Sequence, residues 1–134
     1  MNSKRLILLT VCIASMVLSH SCAKQVREYG EPDNAIEVKA GEDFVITLES
    51  NRTTGYGWQL ARPLDVAVLE LVGSEYTPGE GKLIGSGGRE TWTFRAVGAG
   101  KTLIAFKYIR PWERDVPPAR EVSFTVVVSQ RTSQ

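Results

Sequence analysis

The chain has 134 residues, with 16 lysines and arginines, 15 aspartates and glutamates, two cysteines and one histidine. A composition of 43% hydrophobic and 23% charged residues is that of an ordinary globular protein and excludes disordered and fibrous classes. A formal charge of +1 leaves no electrostatic footprint for nucleic acid, and a single histidine removes most metal sites and acid–base chemistry.

Lys4 and Arg5 open the chain, and Leu6 to Leu18 follows as an uncharged run. The run is too short to span a bilayer, which takes about 20 residues. It has the form of the apolar core of a secretory signal, and residues 1–21 are read as that signal. Small residues at Ser19 and Ser21 suit a signal peptidase. Leu18 to Cys22 also resembles a bacterial lipobox, with Ser19 where leucine is usual and Leu18 one position further back. The expectation is an exported protein, lipidated at Cys22 and held at a bacterial membrane by that anchor. Plain cleavage near Cys22 or Ala23 is the alternative and would give a periplasmic or secreted protein. Cys12 and His20 leave with the signal in either case, so the working domain has no histidine and no internal disulfide. Packing alone must hold its core.

Residues 22–34 are polar, contain Gly30 and Pro32, and read as a tether to a domain over 35–134. From Ala35 onward the pattern has period two. Phe44, Ile46 and Leu48 alternate with Val45, Thr47 and Glu49. Trp92, Phe94 and Ala96 alternate with Thr91, Thr93 and Arg95. Ile104, Phe106 and Tyr108 form a third such set, and Val122, Phe124, Val126 and Val128 a fourth. Alternation of this kind places one set on a core face and the other outward. Strands are predicted near 35–39, 43–50, 57–62, 67–76, 89–96, 101–109 and 121–129, separated by glycine and proline turns. Gly98-Ala99-Gly100 is read as a hairpin turn. About seven short strands without a helix predict an all-β, immunoglobulin-like antiparallel sandwich. A monomer without cofactor or metal is expected.

Three connections differ from ordinary turns. The first is Asn51-Arg52-Thr53-Thr54-Gly55-Tyr56, where Asn51 can bond its own backbone, Gly55 can supply positive φ, and Thr53 and Thr54 form a stiff tip. The second is Gly85-Ser86-Gly87-Gly88, whose glycines allow close approach of a partner backbone. The third is Arg110-Pro111-Trp112, which places a large aromatic among charges, where it can act as a binding anchor. In such a sandwich, alternate connections lie at the same end. These three would therefore form one surface.

Taken together, the three motifs resemble those of the chagasin family, inhibitors of papain-like cysteine peptidases. That family carries Asn-Pro-Thr-Thr-Gly-Tyr, Gly-x-Gly-Gly and Arg-Pro-(Trp/Phe) in this order, matching Asn51–Tyr56, Gly85–Gly88 and Arg110–Trp112. The resemblance runs from about Ala35 to Ser129. It implies a papain-like cysteine peptidase as partner, with Thr53-Thr54 wedged over the reactive cysteine. It further implies Gly85–Gly88 laid along the non-primed side, Trp112 stacked on the primed side and Arg110 making polar contacts. Arg52 departs from the pattern by replacing proline. The expectation for Arg52 is a more mobile loop before binding, or an added charge contact to an acidic enzyme surface.

Other functions fit the residues less well. A domain without histidine or internal cysteine lacks Ser–His and Cys–His catalysis, so an enzyme is not expected. A non-inhibitory surface module for carbohydrate or protein remains the alternative, since an exposed Trp112 would also suit sugar stacking. The Thr-Thr-Gly-Tyr loop speaks against it, because a sugar-binding face does not require one.

Overall fold

The computed structural model describes residues 25–81 and 87–133. Among them are eight strands: β1 (Arg27–Tyr29), β2 (Ile36–Lys39), β3 (Asp43–Ser50), β4 (Gly57–Leu60), β5 (Leu69–Thr77), β6 (Gly88–Ala96), β7 (Gly100–Ile109) and β8 (Arg120–Ser129). The helical content of the described residues is one 3₁₀ turn, Arg52–Thr54. All seven predicted strands are present within two residues or so at most ends. Cys22 lies outside the described residues.

The strands form two four-stranded sheets, ordered β1-β3-β6-β5 and β2-β8-β7-β4. The immunoglobulin-like sandwich is therefore present, with two corrections to its detail. First, it has eight strands, because β1 lies inside the segment read as a tether. Arg27, Glu28 and Tyr29 pair with Phe44, Val45 and Ile46. Tyr29 sets its ring edge-on to Phe44 at 6.3 Å, and the Thr47 hydroxyl donates to the Glu28 carboxylate. Second, the sheets are mixed. β1 runs parallel to β3, and β2 runs parallel to β8. Only the inner pairs and the β4 and β5 edges are antiparallel.

Gly98-Ala99 is not a hairpin turn either. It carries the chain from β6 in one sheet to β7 in the other. The Gly98 N–H donates to the Val68 carbonyl, and its Cα faces the Ala67 carbonyl, so this corner packs on the β4–β5 connection.

The alternating sets point inward as their spacing requires. Phe44, Ile46, Leu48, Trp92, Phe94, Ala96, Ile104, Phe106, Tyr108, Phe124, Val126 and Val128 are all buried. Phe106 of β7 stands at the centre. Trp58, Trp92, Phe94 and Phe124 meet it edge-on at centroid distances of 5.2 to 6.4 Å. Edge-to-face pairs add about 0.5–1.5 kcal/mol each beyond the area they bury. The interlock draws on both sheets, Trp58 and Phe124 from one and Trp92 and Phe94 from the other.

Candidate functional site

The strand register gathers three connections on one rim. Ser50 pairs with Gly88, Thr77 with Arg89, Gly57 with Ile109, and Tyr108 with Arg120. The connections β3–β4, β5–β6 and β7–β8 all leave from or return to these positions.

The first connection closes on itself. Asn51 is extended, at φ −118° and ψ 91°, and its Oδ1 accepts from the Thr53 N–H at 3.2 Å and the Thr53 hydroxyl at 2.6 Å. The Thr54 hydroxyl donates to the Asn51 carbonyl at 2.6 Å. Gly55 adopts φ 82°, and its N–H donates to the Arg52 carbonyl at 3.0 Å. Both threonines have spent their hydroxyls inside the turn, and both remain exposed at its tip. From beneath, the Asn51 N–H donates to the Tyr108 hydroxyl at 2.9 Å, and Tyr56 stacks on Tyr108 at 5.1 Å.

The third connection grips the first. Arg110 Nε donates to the Thr54 carbonyl at 3.0 Å, and its Nη1 pairs with Glu113 at 3.0 Å. The same guanidinium lies 4.3 Å over the Tyr56 ring. Arg110 thus ties the third connection to the first while staying partly exposed. Pro111 and Trp112 form a turn that the Glu113 N–H closes onto the Arg110 carbonyl. Trp112 is 67% exposed, yet its ring lies across Gly55, and a Cβ at Gly55 would collide with it.

Of the second connection, Gly87 and Gly88 are described, whereas Gly85 and Ser86 lie outside the described residues. Gly88 opens β6 one residue before its predicted start. A Cβ there would meet the Thr77 carbonyl and sit 2.7 Å from the Tyr76 hydroxyl, so this close approach requires glycine. An open groove of about 750 Å³ runs between this segment and the first turn, lined by Asn51, Thr54, Tyr56, Pro78, Gly87 and Gly88 among others.

Beneath the first and second connections lies a carboxylate that the motif reading passed over. Glu90 is 4% exposed. It accepts from the Ser50 hydroxyl at 2.9 Å and from the Trp58 N–H at 3.3 Å to each oxygen. Arg52 Nε approaches it at 3.7 Å, and the Arg52 guanidinium lies 4.5 Å over the Tyr76 ring. Arg52 thus turns back onto the sandwich, where the sequence reading expected it to loosen the loop or reach outward. A signal for Glu90 was present: it occupies the inward register of β6, in line with Trp92, Phe94 and Ala96. Tyr108 stands likewise on the inward register of β7.

Residues 37–128 match the model of the family described as Chagasin family peptidase inhibitor I42. The chain belongs to the chagasin family. It is 34% identical to chagasin of Trypanosoma cruzi over 80 residues, which is 58% of this chain and 73% of that protein. To amoebiasin-2 of Entamoeba histolytica it is 29% identical over 98 residues, 73% of this chain and 80% of the relative. In fold it resembles the crystal structure of a cysteine protease inhibitor from Entamoeba histolytica, with a TM-score of 0.63 at 23% identity, covering 78% of this chain and 96% of that one. The chagasin-family region contains all three rim connections. It begins after β1, so that strand stands outside the matched region.

Proposed function

We propose that this chagasin-family domain is a reversible inhibitor of papain-like cysteine peptidases, acting through the rim formed by its three connections. The observation that carries this reading is the way the first and third connections are fastened together. Arg110 holds the Thr54 carbonyl, and Trp112 covers Gly55. The exposed Thr53-Thr54 tip is thereby held in one shape before any partner arrives. A preshaped tip loses little conformational entropy on binding.

In the proposed complex the tip enters the cleft that houses the Cys–His pair and covers the nucleophile. The Asn51 and Arg52 carbonyls accept from within the turn and Arg110 holds the Thr54 carbonyl, so the tip presents a closed turn and not the extended backbone of a substrate. Gly85–Gly88 lies alongside the cleft and pairs backbone to backbone, as an added strand does. Trp112 presents the exposed part of its ring to the other side. Arg110 acts by positioning Thr54. The domain works as a blocking element and has no catalytic role of its own. Anchoring at Cys22 and export to a bacterial membrane belong to the same proposal and rest on the order of basic, apolar and small residues in positions 4–22.

The test is papain activity titrated with purified residues 23–134. Inhibition at nanomolar concentration is expected, reversible on dilution, with the inhibitor recovered intact. Full papain activity at micromolar inhibitor overturns the reading.

A further inference from the structure

Resting on the inhibitor reading, we propose that Arg52 is a positioning residue. It holds the wedge turn in shape from the side, by contact, where a proline would do so through its ring. Arg52 is the first residue of the 3₁₀ turn, and its side chain spans the gap between that turn and the base of the second connection. One partner is Glu90 on β6, and the other is the Tyr76 ring on β5. These two strands flank the β5–β6 connection, so one guanidinium bridges the first rim element to the support of the second.

The partners are themselves fixed. Glu90 is buried and already holds the Ser50 hydroxyl and the Trp58 N–H. A carboxylate so placed has lost most of its water, so a guanidinium beside it is worth more than a partner in an exposed ion pair. Tyr76 lies against Gly88, which has no room for a side chain. A planar guanidinium can stack on the ring and face the carboxylate at once, which an ammonium does less well. The side chain remains 56% exposed, so each contact is modest, and the effect lies in their common direction.

The backbone at this position would also accept proline. The first residue of a helical turn needs no N–H partner within the turn. Asn51 before it is extended, as a residue preceding proline prefers. Proline and arginine are then two solutions to one problem, a turn that must be shaped before it binds.

The experiment compares the unaltered domain with Arg52→Ala, Arg52→Lys and Arg52→Pro. Backbone amide order parameters are measured at Thr53, Thr54 and Gly55 in the free domain, and papain inhibition is measured at low and high salt. In the unaltered domain the amides are expected near the rigid value of about 0.85, and in Arg52→Ala they fall toward about 0.6. Inhibition by Arg52→Ala weakens about fivefold to thirtyfold. Arg52→Lys lies between, and Arg52→Pro restores both readouts. The proposal is overturned if Arg52→Ala leaves the order parameters unchanged. It is equally overturned if Arg52→Pro inhibits as poorly as Arg52→Ala and the loss disappears at high salt, since Arg52 would then touch the peptidase itself. If the unaltered domain does not inhibit papain, the inhibitor reading fails by itself, and the order parameters still decide whether Arg52 holds the turn.

Discussion

At Gly55 the backbone sits at φ 82°, and the Trp112 ring lies across the place a Cβ would fill. One glycine thus joins two connections far apart in the chain. Trp112 has two faces in consequence, one resting on Gly55 and the rest open to solvent. Large aromatics placed this way carry much of the energy at interfaces. Trp112→Ala is expected to weaken papain inhibition by about 1–3 kcal/mol while leaving the unfolding midpoint nearly unchanged. Titration and thermal melts of the same samples separate the two effects. A lowered midpoint with unchanged affinity would make Trp112 a structural residue. The motif Arg110-Pro111-Trp112 marked this residue in the sequence. The motif did not show that Arg110 folds against the first connection, because its partners, Thr54 and Tyr56, lie far from it in the chain. The same holds for Arg52 and Glu90, which come together only once β3 and β6 have paired.

Among the elements, the strands with a clear inward register were legible and β1 was not. Phe44-Ile46-Leu48 or Phe124-Val126-Val128 must bury one face, and their spacing says which. β1 is Arg-Glu-Tyr, with only Tyr29 partly covered, so no alternation betrays it. Its pairing is parallel to β3, a register that no turn fixes locally. The parallel β2–β8 pair was hidden for the same reason: β2 was found as a strand, but its neighbour comes from the other end of the chain. β1 covers the backbone edge of β3 with a short, charged strand, a common way to blunt an open edge. Removing it should therefore cost stability and leave the rim intact. Residues 33–134 are expected to be about 1–2 kcal/mol less stable than residues 23–134 in urea unfolding, with papain inhibition within about twofold. An unchanged urea midpoint would show that β1 adds nothing to the sheet.

For the molecule as a whole, the direction of β1 has a consequence for the proposed anchor. Arg27 pairs with Phe44 near the start of β3, whereas the rim lies at its other end, at Ser50. Six residues of strand separate the two, which is about 20 Å. The chain therefore enters the sandwich at the end away from the three connections. Only residues 23–26 lie between Cys22 and β1, and the five steps from Cys22 to Arg27 reach at most about 18 Å when extended. A lipid at Cys22 would hold the domain close to the bilayer with its rim turned outward, as blocking a peptidase that arrives from solution requires. A flexible tether of a dozen residues would impose no such orientation, and pairing of 27–29 with β3 shortens it to a few. Two outcomes follow for the full-length protein expressed in a bacterium. Cys22→Ser should move it from the membrane to the soluble fraction, and no change in partition would rule out lipidation. The membrane-bound form, presented on vesicles with the lipidated face outward, should inhibit added papain within about twofold of the soluble domain. This follows because the rim lies at the end of β3 away from the anchor and a preshaped interface moves little on binding. Inhibition that appears only after the domain is released from the membrane would mean that the rim faces the bilayer, and the entry direction read from β1 would then be wrong for the anchored state.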